Sequence, residues 1–285
     1  MYLKKKIATK ISLEGPISIS KYMEMCLWDS YEGYYSQKQV IGQKGDFVTS
    51  PELSQTFGEL IGIWSLSCHL NKFKDNKLAL LELGPGRGTL MGDAFRAINK
   101  VTKTKIEKEA YLLEKSPILK SVQQEKLVGC NVNWINDIEQ MPAKPLIIIA
   151  NEFFDALPIN QYVKVNGGWR ERKIAISNNN FYLTLDKKVI RFKTDYFDKT
   201  PIGGMIEYSF ESVRIFSIIC ENIKKFGSIA LVIDYGENYI NHAIQITLLA
   251  LLFSSTSITC WTFIGKFLRK FATNEKFIKY FNYVM

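Results

Sequence analysis

The chain predicts an α/β fold built on a parallel sheet, and three observations predict it. An apolar run, Leu78 to Leu83, passes straight into Gly84, Pro85, Gly86, Arg87 and Gly88, after which Thr89 opens a helical pattern with Leu90, Met91, Ala94, Phe95 and Ile98 on one face. Short apolar runs ending in acids or amides then alternate with helix-like segments. Between residues 161 and 191 the alternation gives way to strands split by turn residues, an antiparallel insert. At 285 residues the chain holds one large domain or two small ones with ample core.

Taken in order, residues from 17 onward read as helix, with Ile19, Met23, Cys26 and Leu27 on one face and Ser18 or Ser20 as cap. After Tyr31-Glu32-Gly33-Tyr34-Tyr35 comes IGQKGDFVTSPE, residues 41–52, which is polar and without period. A long loop there is a candidate binding loop. Ser50-Pro51-Glu52 has the chemistry of a helix start: Ser as cap, Pro in the first position, an acid in the first turn. Leu53 to Leu70 is then a helix with Phe57, Leu60, Ile61, Trp64 and Leu66 or Ser67 inward.

The glycine turn of 84–88 needs residues without a side chain, because the backbone must take unusual dihedrals and approach a ligand closely. The helix behind it offers free N–H groups to an anionic part of that ligand. The spacing is G-x-G-x-G and not the G-x-G-x-x-G of dinucleotide enzymes, and Glu82 is a further departure from that pattern. By itself such a turn also serves simply to join a strand to a helix.

Ala110–Leu113 is a second strand, ending at Glu114. An acid there is the usual partner of ribose hydroxyls, which a carboxylate accepts as a pair; a surface or capping acid is the alternative. Pro117 to Leu127 reads as helix, and Val132–Ile135 as a third strand leading to Asp137, which either faces an adenine amino group or caps the next turn. Leu146–Ala150 is a fourth strand, and Asn151-Glu152-Phe153-Phe154-Asp155 follows at its carboxyl end, where ligands of open α/β sheets lie. Tyr162–Val165, Trp169–Ile176, Phe181–Leu185 and Val189–Phe192 form the insert, with turns at Asn166-Gly167-Gly168, Asn178–Asn180 and Asp186-Lys187. Helix resumes from Glu207 to Phe226, and Ser228–Ile233 is a fifth strand, ending at Asp234-Tyr235-Gly236.

The net charge of +9 comes from lysines scattered in short clusters and outlines no nucleic-acid surface. Five cysteines far apart, with no C-x-x-C pair and two histidines, argue against a zinc site and suggest free thiols in a reducing compartment. The segment before Gly15-Pro16 lacks arginine and does not read as a transit peptide.

Four linked motifs, IGQKGDFVTSPELSQTFGELIGIW, LLELGPGRGTL, ANEFFDALP with GWRER downstream, and LVIDYG, resemble the MidA-like family of class I S-adenosylmethionine-dependent methyltransferases, which includes the mitochondrial complex I assembly methyltransferase. The resemblance covers residues 13–236. It implies a Rossmann-like class I methyltransferase core with an N-terminal helical extension and an antiparallel β insert. Its divisions would be residues 1–77, a core over 78–236 with the insert at about 160–208, and a divergent tail over 237–285. The implied cofactor is S-adenosyl-L-methionine, and the implied substrate a protein arginine on a core subunit of respiratory complex I. Carried onto this chain, Glu82, Gly84, Gly86, Gly88, Glu114 and Asp137 would bind the cofactor. Gly45, Asp46, Thr49 and Ser50 would close over it, and Asn151 and Glu152, with Asp155, would line the transfer site. The expected compartment is the cytoplasm of a bacterium or the mitochondrial matrix of a eukaryote.

Past Gly236 the quoted motifs stop. Ala243 to Gly265 carries no charge and is followed by Lys266, Arg269 and Lys270. An altered or degenerate end, a β-rich segment and a membrane tail all suit that pattern. An intact enzyme and a non-catalytic assembly protein of the same fold are the two function classes this leaves. A nicotinamide-dependent dehydrogenase is disfavoured by the glycine spacing.

Overall fold

A computed structural model describes residues 2–36, 49–73, 77–102, 106–192, 197 and 200–234, together with a short strand at 243–244. Two sheets organise it. The first has five parallel strands: β2 (Lys77–Leu83), β3 (Glu107–Leu113), β4 (Val132–Ile135), β5 (Ile147–Asn151) and β10 (Ile229–Ile233), in the spatial order β10-β5-β2-β3-β4. The order reverses between β2 and β5, which opens a crevice at their carboxyl ends.

Alternation along β2 divides the core. Leu78 and Leu80 face one side, with Trp64, Met91, Phe95 and Ile98 of helices α4 (Gln55–Lys72) and α5 (Thr89–Val101). Ala79, Leu81 and Leu83 face the other, with Ile215, Ile219 and Ile223 of α7 (Phe210–Phe226). Both faces of the sheet are thus covered, which is why its strands read as unbroken apolar runs. Helix α6 (Pro117–Lys126) starts on Ser116, whose hydroxyl accepts the Leu119 N–H at 3.3 Å.

α4 and α5 approach closely because α4 presents Gly58 and Gly62. A Cβ on Gly62 would stand 2.5 Å from Ala94 Cα, and one on Gly58 2.7 Å from Asp93 Cβ. Gly62→Val is therefore expected to cost about 1–3 kcal/mol through forced separation of the helices. Denaturant unfolding measures this, with Gly92→Ala in α5, where a Cβ meets only Leu127 Cδ2 at an ordinary 3.5 Å, as the comparison.

The second sheet is built by the insert: β6 (Asn160–Val165), β7 (Gly168–Ser177), β8 (Asn180–Ile190) and β9 (Met205–Tyr208), antiparallel throughout. Two sequence expectations are corrected here. Asp186-Lys187 makes no turn: β8 runs through it, and the extra residues are taken up as a bulge where the register shifts opposite Arg170 and Arg172. The helix expected from Glu207 begins at Phe210, because Met205–Tyr208 pairs with β6 as a strand and Ser209 caps the helix by accepting the Ser212 N–H.

The N-terminal segment joins this second sheet. Helix α1 (Tyr2–Glu14), which the sequence reading did not anticipate, packs Ile7 and Ile11 against Ile17 and Ile174. β1 (Ile17–Ser18) pairs antiparallel with β7. The first turn of α1 is satisfied from a distance, since Glu32 accepts the N–H groups of Tyr2 and Leu3 at 2.9 and 2.7 Å. Lys6 pairs with Asp29 at 2.7 Å. Helix α2 (Ile19–Trp28) is capped by Ser18, as one of the two expected caps, with the Lys21 N–H donated at 3.0 Å.

At α3 (Ser50–Leu53) the capping position is Thr49, one residue earlier than expected, with Pro51 in the first turn. Ser54 then breaks the chain before α4. Along α4 Ile61, Trp64 and Leu66 are buried, while Leu60 and Phe57 are only half-buried.

The short strand β11 (Ala243–Ile244) pairs with β9, in the insert sheet and not in the five-stranded one. No helix among the described residues is long and apolar enough to cross a membrane. The remainder of the uncharged stretch to Gly265 lies outside the described residues, as do Gly45 and Asp46.

Candidate functional site

A cavity of about 1210 Å³ opens at the carboxyl ends of β2, β3 and β5, over the crevice where the strand order reverses. On its floor lies the glycine turn. Gly84, Gly86 and Gly88 all have positive φ, at 61°, 54° and 78°, a region that costs other L-residues roughly 1–2 kcal/mol. At Gly84 closeness matters as well as conformation, since a Cβ there would stand 2.8 Å from the ring of Phe153. The glycine turn and the loop after β5 thus touch through a missing side chain.

Glu82 sits one residue from the end of β2. It is 3 % exposed and its Oε2 has no hydrogen-bond partner among the described residues. Burial alone pushes its carboxyl up to about 8, so the side chain is mostly protonated at neutral pH. Glu114, one residue past β3, is also buried and pushed up by burial, although the Ser116 N–H at 2.8 Å and Gln123 Nε2 at 3.2 Å oppose that shift. Gln123 is fully buried and ties the region together. Its amide also donates to Gly86 O at 2.7 Å, and its Oε1 accepts from Trp134 Nε1 at 2.7 Å. Mid-helix glutamine carries no sequence signal, which is why it escaped notice.

Of the two roles open to Asp137, capping is the one it makes. Its carboxylate accepts the Glu139 N–H at 3.0 Å and takes Arg214 in a two-pronged pair at 3.1 Å on each oxygen. The Glu139 N–H and Arg214 hold it below the usual carboxylate range. It still lines the cavity, at the rim.

The opposite wall carries the acids that follow β5. Asn151 ends β5 with its Oδ1 buried and without a hydrogen-bond partner among the described residues, and Glu152 follows at φ 49°, a left-handed conformation in a residue that has a Cβ. Strain of this kind costs of order 1–3 kcal/mol and marks a constrained position. Phe153 and Phe154 pack on the core, while Glu152 and Asp155 line the cavity. The Asp155 N–H donates to Asp234 Oδ2 at 3.2 Å. Burial first, then Asp234 and Glu152, push the Asp155 carboxyl up to about 6. Asp234 was read only as the end of a strand; the rule applied to Glu114, an acid at the carboxyl end of a parallel strand, would have found it.

Thr49 and Ser50 reach the same wall. The Ser50 N–H lies 3.4 Å from Glu152 Oε1. Glu52 bridges to the glycine turn, accepting from the Thr89 hydroxyl and lying 3.7 Å from Arg87. From α2 and the turn after it, Trp28 stacks on Tyr35 at 4.8 Å, and Ser116 Oγ donates to Tyr35 O at 3.1 Å. Burial, with Asp155 and Glu114 acting on it, raises the Tyr35 hydroxyl, and Tyr35 lines the cavity.

Residues 60–257 match the model of the family described as "Putative S-adenosyl-L-methionine-dependent methyltransferase", so the match continues beyond Gly236, where the quoted motifs end. Among curated relatives, "Protein arginine methyltransferase NDUFAF7, mitochondrial" of Xenopus laevis is 34% identical over 256 residues, covering 80% of this chain and 58% of that protein. The Homo sapiens protein of the same name is 31% identical over 265 residues, with the same shares. The chain thus spans about three fifths of the length of these relatives. Among solved structures, a COG1565 superfamily member from Burkholderia thailandensis, described as a likely methyl transferase bound to S-adenosyl-homocysteine, superposes with a TM-score of 0.69 at 23% identity, over 83% of this chain and 62% of that one. That likeness is one of fold.

Proposed function

The chain belongs to this family of S-adenosyl-L-methionine-dependent methyltransferases, and on that premise we propose that it transfers a methyl group to an arginine side chain of a protein. The observation that carries the reading is the pair Glu152 and Asp155 on the wall that touches the glycine turn through Phe153 and Gly84, with Asp234 beside Asp155.

The residues present fit the donor. Three glycines at positive φ, an orphaned buried carboxyl oxygen on Glu82 and a buried carboxyl at Glu114 suit, in turn, a close-lying backbone contact, a cationic group and a pair of ribose hydroxyls. Bound there, the donor would supply a methyl group on a positively charged sulfur. Gly84, Gly86, Gly88, Glu82 and Glu114 would hold it, with Thr49 and Ser50 at the edge of the cavity and Asp137 at the rim.

The acceptor side must overcome a different difficulty. A guanidinium is protonated at any physiological pH and is a poor nucleophile. Paired hydrogen bonds donated by the guanidinium to Glu152 and Asp155 would fix its plane and direct one nitrogen at the methyl carbon. Alignment of that kind contributes about 7–11 kcal/mol to such displacements. The transfer releases one proton from the guanidinium nitrogen, and ionised Asp155 beside Asp234 would accept it.

Transfer by this arrangement needs Asp155 ionised, so the rate is expected to rise as pH increases through about 6. Asp234→Asn removes a neighbouring negative charge and should move that midpoint to lower pH. A pH–rate profile of both proteins checks this; an unchanged midpoint counts against the pairing.

The relatives' names direct the substrate search to mitochondria, and the family resemblance to a respiratory complex I subunit as acceptor, with the matrix as the compartment in a eukaryote. Incubation of the full chain with methyl-labelled donor and complex I subunits, followed by mass spectrometry, tests the reading. Methylarginine on a subunit supports it. Donor binding without methylarginine would favour the non-catalytic assembly role.

A further inference from the structure

Glu82 is the one acid of the cavity whose environment in the sheet is wholly apolar. Its register neighbours are Leu112 on β3 and Ile149 on β5, and Ile149 clusters with Ile61 of α4 and Leu90 of α5. Among the other charged groups lining the cavity, several have engagements of their own. Arg87 lies against Glu52, Glu114 accepts from Ser116 and Gln123, and Asp155 borders Asp234. On α5, Asp93 is taken by Arg96 at 2.7 Å. An unpaired carboxylate in such a place is expensive, whereas a carboxylic acid is tolerated.

We propose that Glu82 holds a proton while the cavity lacks its donor and releases it when a cationic part of the donor arrives, so that donor binding is coupled to proton release. The inference rests on the reading that this cavity binds S-adenosyl-L-methionine. The physical reason is charge matching. Neutral Glu82 leaves no uncompensated charge in the apolar pocket, and a sulfonium or an α-ammonium placed against its orphaned oxygen favours the ionised form. The donor then meets a carboxylate that did not have to be kept buried and bare beforehand.

Coupling of this kind has a measurable size. With the carboxyl at about 8 in the empty site, Glu82 is about nine-tenths protonated at pH 7, so close to one proton leaves per donor bound. The dissociation constant should fall about tenfold from pH 6 to pH 7. The same residue affects folding. A carboxyl raised in the folded state contributes stability that is complete below about pH 4 and is lost as pH rises through about 8.

Calorimetry of the full chain near pH 7, in phosphate and in Tris, counts the protons. The expected result is a binding enthalpy that differs between the buffers by about one ionisation enthalpy for the wild type and for Asp155→Asn, and by none for Glu82→Gln. S-adenosylhomocysteine, which keeps the ammonium but lacks the sulfonium, is the second ligand. Release with both ligands assigns the ammonium as the partner of Glu82, release with the sulfonium donor alone assigns the sulfonium, and either supports the proposal. A buffer-independent enthalpy in the wild type, or full release in Glu82→Gln, overturns it. Absence of donor binding by a folded wild-type chain overturns the donor-site reading itself. Carboxyl-carbon NMR of the wild type needs no variant. One glutamate should titrate near pH 8 without donor and stand ionised at pH 7 with it; a glutamate already ionised at pH 7 in the empty protein refutes the idea.

Discussion

Glu152→Gln is expected to slow methyl transfer about 10²–10³-fold, while the donor dissociation constant moves by less than about threefold. The rate loss corresponds to about 2.7–4 kcal/mol, the scale on which one preorganised electrostatic partner acts. Glutamine keeps the volume and an oxygen for the Ser50 N–H, so the 3.4 Å contact and the backbone at φ 49° have no reason to change. Only the negative charge facing the guanidinium goes. The left-handed backbone supplies an internal comparison. Glu152→Gly should relieve strain and raise stability by about 1 kcal/mol while abolishing transfer, because glycine tolerates positive φ. A strained residue whose relief costs activity is what a position held for function looks like. Rate measurements at saturating donor, calorimetric donor affinity and denaturant unfolding are sufficient. Equal losses of rate and donor affinity would assign Glu152 to the donor and not to the acceptor.

Gly86→Val should abolish measurable donor binding, at least a hundredfold in affinity, and leave a folded protein. Gly86 has φ 54° and lines the cavity. Valine is branched at Cβ and among the residues least able to take that conformation, so the turn must either rearrange or carry the strain. Rearrangement is communicated directly, because Gly86 O accepts from Gln123 and the same amide donates to Glu114. One substitution thus disturbs the glycine cradle and the acid expected at the ribose. The core beneath, Leu78 to Leu83 of β2, is untouched, so the unfolding midpoint should fall by an amount set by strain alone, about 1–2 kcal/mol. Calorimetry with S-adenosyl-L-methionine checks the first effect and thermal unfolding the second. Undiminished affinity would remove the glycine turn from the donor site.

Much of this protein was legible locally. A buried parallel strand announces itself by an apolar run, a tight turn by glycines that accept positive φ, and a helix by its period and cap. Those signals located β2, the turn of 84–88, α5, the strand preceding Glu114 and the strand ending at Asn151. Where local signals misled, a tertiary contact prevailed. Asp186-Lys187 has turn chemistry, yet pairing with β7 on both sides carries the strand through it. Met205–Tyr208 could not be told from the helix that follows until β6 was found beside it.

By itself, then, the amino-acid order determined the class of fold, the cradle and the acids at the strand ends, because periodicity, φ preference and capping act over a few residues. The spatial order β10-β5-β2-β3-β4 decided the rest. It set Asp234 beside Asp155, 79 positions away, brought Glu52 onto Thr89, and left Glu82 between Leu112 and Ile149, its Oε2 without a hydrogen-bond partner among the described residues. Proximity between strand ends depends on which strands are neighbours in the sheet, and the proton on a carboxyl depends on what surrounds it; neither quantity exists until the chain has folded.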